Sequence, residues 1–411
     1  MSAHQAPRNW SHPRNQAVRG VNSSAARAVG RARGLAAAVV LCLVAQVGAF
    51  AQEAPSPSGT SLFRDPQDGA FDISAWAATR TGVIPVLSPI TEPAVGLGGA
   101  LGLVLIHGGG LAGLKDAPLG VTGKPVPPAI SVVGGALTEN ETWAVLAGHV
   151  GFWGGDRWRY TGGAGRLSPR LDTYTADGRA FAFNLDGWAV VQEARRRVGR
   201  TDLFLGARYL FVDSTTTFET AELPPGLSQS GHGTRESALG LVAEFDTRDN
   251  IFTPNRGTQL KASAMFFDES IGSDREYQRY TADGLLFTNP HRRLVLAGRL
   301  RTQSVRGDEP FYARPYVRLR GIPAMRYQGE TAVSLDAEAR WGLTARWWLV
   351  GFAGAGWTDA GPVRILEDES VVAGGVGFRY LIARLLGLQM GLDVAKGPEE
   401  WATYVVFGSS W

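Results

Sequence analysis

The chain has 411 residues and a formal charge of +3, but the charge is unevenly spread. The first 51 residues hold six arginines (Arg8, Arg14, Arg19, Arg27, Arg31 and Arg33) and no acid, so the remainder sets 35 basic side chains against 38 acidic ones, a net −3. No clustered cationic surface points to nucleic acid. The lone cysteine, Cys42, lies in the leader and follows Leu41 rather than a small residue, which excludes a disulfide framework and a lipoprotein anchor.

The basic start is followed by the apolar run from Leu35 to Ala45 and by Ala49-Phe50-Ala51, the pattern of a secretory signal peptide over 1–51. The run is too short for a spanning helix of about 20 residues, and no longer apolar stretch follows it. Residues 52–80 are expected to form a periplasmic linker. Its first part, QEAPSPSGTS, is polar and rich in proline, and its second offers Asp72 or Ser74 as a cap for a short helix carrying Ile73, Trp76 and Ala77.

From residue 81 to 411 the chain reads as about sixteen short alternating strands separated by Gly, Pro, Asn and Asp clusters. In TAVSLDAEARW, Val333, Leu335, Ala337, Ala339 and Trp341 take one face and Ser334, Asp336, Glu338 and Arg340 the other. LLGLQMGLDVAK and RLVLAGRLRTQ repeat the pattern, with Glu244, Lys261, Arg279, Asp283 and Arg379 adding charges of both signs. A sandwich core could not hold so many ions, because each unpaired buried charge costs several kcal/mol or more. The fold class is therefore all-β, an antiparallel transmembrane barrel with a polar lumen and a lipid-facing exterior. The long connections 108–128, 215–235, 305–330 and 358–370 are expected at the cell exterior, and short ones such as 397–400 in the periplasm. The final YVVFGSSW, with Phe407 and the terminal Trp411, reads as a closing strand.

Two stretches carry a resemblance. LRGIPAMRYQG at 319–329, with Leu319, Arg320, Gly321 and Ile322, resembles the loop motif of the superfamily of BamA, TamA and the two-partner secretion transporters, the bacterial surface antigen barrels. EFDTRDNIFTPNRGTQL at 244–260 resembles their upstream strand-turn-strand, and five strands follow the loop as in that family. The resemblance covers roughly 84–411 and fits a branch without POTRA domains, since 52–79 cannot hold one. It implies that Arg320 clamps the loop onto Glu338, with Asp336 as neighbour. It also leads one to expect an aspartate where Gly354 stands. The seam between first and last strands, with Pro85, Pro89, Phe407 and Trp411, is expected to pair weakly because proline cannot donate to a ladder.

The expected function is a barrel in the outer membrane of a Gram-negative bacterium, aiding insertion or transport of proteins or lipids. Its partners would be outer-membrane lipid, unfolded outer-membrane protein clients and a periplasmic protein supplying docking. The alternative is a passive channel or structural barrel. No cofactor, metal or enzymatic activity is expected: the four histidines beyond the leader (His107, His149, His232, His291) form no spaced motif, and there is no G-x-S-x-G. Only a serine or aspartate from a distant strand meeting a histidine in space would change that.

Overall fold

The computed structural model describes residues 62–78, 82–108, 118–175, 177–219, 223, 232–361 and 368–411; the expected signal peptide lies outside them. Seventeen strands form one antiparallel sheet. They are β1 (Gly82–Ile90), β2 (Gly98–Ile106), β3 (Ile130–Thr138), β4 (Trp143–Trp153), β5 (Trp158–Ser168), β6 (Arg170–Tyr174), β7 (Ala180–Arg197), β8 (Leu203–Phe218) and β9 (His232–Asp246). Then follow β10 (Gly257–Phe267), β11 (Tyr277–His291), β12 (Leu294–Gly307), β13 (Thr331–Gly342), β14 (Trp347–Asp359), β15 (Glu369–Ala383), β16 (Leu388–Lys396) and β17 (Trp401–Phe407). β5 and β6 both pair with β7 and are parted at Pro169, where the missing amide breaks one long strand in two. The barrel wall thus has sixteen staves. Among the described residues one short helix, α1 (Ser74–Ala78), precedes them, with Asp72 accepting a 2.7 Å hydrogen bond from the Ser74 amide.

The two-residue period sorts the side chains as a polar lumen requires. Leu101, Leu103, Leu335, Leu349, Val372 and Val376 are exposed on the outside, while Glu244, Asp336, Glu338, Arg340, Arg379 and Asp393 are buried within. On β14 the outward Trp347 and Trp357 stand ten residues apart. On a strand tilted by about 40° this spacing covers about 25 Å of height, the span of a lipid-facing apolar band between aromatic girdles.

With β5 and β6 counted as one stave, every ladder joins consecutive staves, so the connections alternate strictly between two ends. The N-terminal segment enters and β17 leaves at the same end, here called proximal; the other is distal. This parity corrects the loop assignment. The connection after β2 is proximal: its described part, 118–129, binds the β4–β5 turn through Val121 N–H to Gly155 O (2.9 Å) and the β7–β8 turn through Lys124 Nζ to Asp202 (3.0 Å). Residues 397–400 are instead distal, where Tyr327 of the 308–330 loop hydrogen-bonds Glu399. Length does not fix the side of a connection; strand parity does.

Candidate functional site in the lumen and at the seam

The distal loop 308–330 turns inward and packs on the wall. Val317, Leu319, Ile322 and Tyr327 form one buried cluster with Val371 and Ala373 of β15. β14 makes room for them by lacking side chains: a Cβ at Gly354 would lie 2.6 Å from Leu319 Cδ2, and one at Gly356 2.3 Å from Val317 Cγ1. Gly354, where the resemblance leads one to expect an aspartate, is thus the seat of a loop leucine. Gly321 has φ +89° and its amide donates to Tyr404 Oη at 2.9 Å. A side chain there would be strained and would also press on the Gly397 backbone at 3.0 Å.

These contacts deliver Arg320 between two acids. Its Nη2 lies 2.9 Å from Glu338 Oε2 and its Nη1 2.6 Å from Asp393 Oδ2, with the guanidinium 3.5 Å above the Phe352 ring. Asp393 also takes both nitrogens of Arg379, at 2.5 and 2.9 Å. Asp393 is 0% and Arg379 1% exposed, so each charge depends on the other for the solvation that water no longer supplies. Asp336 makes no ion pair with Arg320 among the described residues; its register partner is Arg299, which binds Asp283 instead. The second acid of the clamp is Asp393, which sequence reasoning missed. Alternation had placed it on the polar face of LLGLQMGLDVAK, but a contact 73 residues from Arg320 leaves no trace in spacing.

At the seam, β1 pairs with β2 along its whole length, with Pro85 opposite Leu103 and Pro89 opposite Gly99. β17 pairs with β16 from Trp401 to Phe407. No ladder joins β1 to β17 among the described residues; Val405 N–H donates to Thr91 Oγ1 at 2.9 Å. Amides alternate between the two edges of a strand, so prolines four residues apart strip donors from the same edge.

Trp411 corrects its expected place. The last strand stops at Phe407, opposite Met390, and Gly408 at φ +73° turns the chain inward. Gly408 and Ser409 donate to Gln389 O and Phe252 O, Ser410 Oγ donates to Glu338 at 2.8 Å, and Trp411 packs on the Leu285, Phe287 and Ala297 cluster. Its indole, 6.0 Å from the Arg320 guanidinium, belongs to the lumen and not to the seam. The apolar cluster on the far wall outcompetes one more ladder step.

No protein-family model matches the sequence, and no curated protein does. Solved structures do match. BamA from Haemophilus ducreyi lacking POTRA domains 1-3 aligns with a TM-score of 0.52 at 11% identity, over 80% of this chain and 69% of that one. CdiB from Escherichia coli gives 0.53 at 11% identity over 77% and 59%, and CdiB from Acinetobacter baumannii 0.50 at 11% over 79% and 59%. The fold is that of the BamA and CdiB barrels. The chain spans less than two thirds of either CdiB, 59% of each.

In this BamA- and CdiB-type barrel the proximal mouth is also filled. The β9–β10 turn reaches in, with Asn250 Nδ2 on Leu386 O (3.0 Å) and Arg340 donating to Pro254 O. From α1, Ile73, Trp76 and Ala77 share one core cluster with Ile84 and Val86 of β1 on one side of the seam and with Ala383 and Leu388 of β15 and β16 on the other. The segment before α1 is held by charge. Arg346 binds Asp65, Asp68 and Asp72 at 2.5, 2.8 and 2.6 Å, and Arg384 binds Asp65 and Asp68.

Proposed function

We infer that this chain is an outer-membrane barrel of the assembly or translocation kind, aiding insertion or transport of proteins, or of lipids, at that membrane. The observation that carries the reading is that no ladder joins β1 to β17 among the described residues. Unpaired backbone groups cannot be satisfied by hydrocarbon, so such an edge favours pairing with an incoming strand. Strand addition uses main-chain hydrogen bonds alone and needs no nucleotide or metal. The proposed partners are unfolded outer-membrane proteins as clients, and a periplasmic protein that delivers them. Loop, turn and tail entering the lumen from both ends speak against the alternative of a passive channel.

The test is the folding rate of an unrelated, urea-unfolded outer-membrane barrel into liposomes with this protein pre-inserted. Acceleration is expected, and it should vanish in a Thr91→Cys, Val405→Cys variant once the disulfide forms and return on reduction. If the empty and the loaded liposomes fold the client equally fast, the assembly reading is wrong. A steady conductance insensitive to Arg320→Ala would then favour the channel.

A further inference from the structure

The outer faces of β2, β3 and β4 present Leu101, Leu103, Val133, Leu137 and Val145 to the surroundings. Toward the proximal end this wall is interrupted by three polar residues of the same outward parity, and they meet one another. Ser131 Oγ lies 2.9 Å from His107 Nε2 and 2.8 Å from His149 Nδ1. Register sets Leu105, Ser131 and His149 side by side, which leaves the serine between the two rings. The imidazoles sit 5.6 Å apart, and that of His149 is backed by Trp153 at 6.5 Å and Tyr160 at 6.2 Å. Trp153 and Trp158 are exposed here, so the group stands at the aromatic girdle, the depth at which headgroups meet acyl chains.

We propose that Ser131 and His149 form a hydrolytic site for the acyl esters of membrane lipids on the outer wall of the barrel. The argument begins with proton counting. A hydroxyl has one proton, so between two ring nitrogens it donates to one and accepts from the other, and the two histidines must play opposite parts. His149, the half-buried ring held by its aromatic neighbours, takes the part of base through an unprotonated Nδ1. His107 donates Nε2–H to Oγ and is a positioning residue. In the first step Oγ bonds to the ester carbonyl carbon as its proton passes to His149 Nδ1. The ester C–O bond then breaks, and the alkoxide of the lysolipid leaves with that proton. Water then loses a proton to His149 and attacks the acyl carbon, the acyl C–Oγ bond breaks, and His149 returns the proton to Oγ, releasing a fatty acid and restoring Ser131. Ester and water become acid and alcohol, with no other reactant. The bilayer itself presents the ester carbonyl at the girdle, so no cavity is needed to hold the chains. No carboxylate touches either ring among the described residues, so the imidazolium lacks the third member of a full triad and turnover is expected to be slow. An interfacial anchor would need polar side chains facing headgroups; it would not need two imidazoles converging on one hydroxyl.

The site needs only the membrane-spanning part of the functional reading, and flotation with liposomes establishes that part separately from hydrolysis. The full-length protein is inserted into vesicles of phosphatidylethanolamine and phosphatidylglycerol, and fatty-acid release is followed together with labelling by a fluorophosphonate probe. Release is expected to disappear in Ser131→Ala and to fall about 100-fold or more in His149→Ala. The label should map to Ser131. His107→Ala should lose activity that His107→Gln, which keeps an N–H donor, recovers. Each variant is checked for the heat-modifiable mobility of a folded barrel. Equal release from wild type and Ser131→Ala, or neither release nor labelling from a floating, folded wild type, overturns the site and leaves the three residues as a headgroup anchor.

Discussion

Two arginine clusters tie folded-in segments to the barrel, one deep in the lumen and one at the proximal mouth. In the lumen, Arg320 joins the 308–330 loop to Glu338 and Asp393, and every partner is at most 11% exposed. At the mouth, Arg346 and Arg384 hold three aspartates of the N-terminal segment, but Asp68 and Arg384 keep 29% and 31% of their side-chain surface in water. The chemistry is the same, a guanidinium forked onto carboxylates. The difference lies in what is left when a partner goes. A stranded lumen charge has no water to turn to; at the mouth Asp68 and Arg384 have it, although Arg346, Asp65 and Asp72 beside them are as buried as the lumen partners. The first cluster is built as a fixed joint, and the second carries an outer, part-wet pair, Asp68 and Arg384, that solution conditions can loosen.

The sharpest way to break that contrast is Asp393→Ala. It removes the carboxylate shared by Arg320 and Arg379 and should cost about 3–5 kcal/mol, read as the shift of the urea midpoint in detergent. A loss near that of a mouth aspartate would erase the distinction. Glu338→Ala leaves Arg320 its contact with Asp393, so a smaller loss of about 1.5–3 kcal/mol is expected, together with faster proteolysis within 308–330. Loop cleavage as slow as in the wild type would show that the pair does not hold the loop. Gly354→Val tests the packing beneath the clamp. Its side chain would drive into Leu319, and a loss of about 1–3 kcal/mol should follow with every ion-pairing residue still in place.

How far the sequence foretold this arrangement depends on the range of each interaction. Strand alternation is local, so the polar faces of β12, β13 and β16 were readable residue by residue, and the cap of α1 was narrowed to Asp72 or Ser74, of which Asp72 takes the amide hydrogen bond. The stave count was readable too, except that Pro169 divides one stave into β5 and β6. The ends at which connections lie were not, because parity must be carried through every strand and length misleads: 107–129 is long and proximal, 397–400 short and distal. Contacts across the lumen were least legible. Asp393 as second acid, Gly354 as the seat of Leu319, and Trp411 turning inward all depend on which walls face each other once the sheet curls. Ser131 meeting His107 and His149 depends on register alone, since one residue of slip would put Ser131 on the inner face.

The smallest effect belongs to the mouth, and pH reaches it without mutation. The hydrogen bond from Arg346 holds Asp68 at about 2, against the upward pull of burial and below an ordinary value of 3.8. At Asp72 burial pulls upward, but hydrogen bonds from Ser74 and Arg346 win and keep the carboxyl below its ordinary value. A depressed carboxylate adds stability that is complete above the unfolded value and lost as pH falls through the folded one. The segment 62–78 should therefore stay equally protected from pH 8 to about pH 5 and loosen between about pH 4 and pH 2. Pepsin cleavage near Phe63 and Phe71, compared at pH 4 and pH 2 with the rate on a denatured control at each pH, reads the change. Asp68→Asn should flatten it, and about 1 M salt should imitate part of it, because the half-wet pairs are screened within about 3 Å. Cleavage that tracks the denatured control alone would mean that the carboxylates are not what holds the segment, and that Ile73 and Trp76 packed across the seam do so by apolar contact.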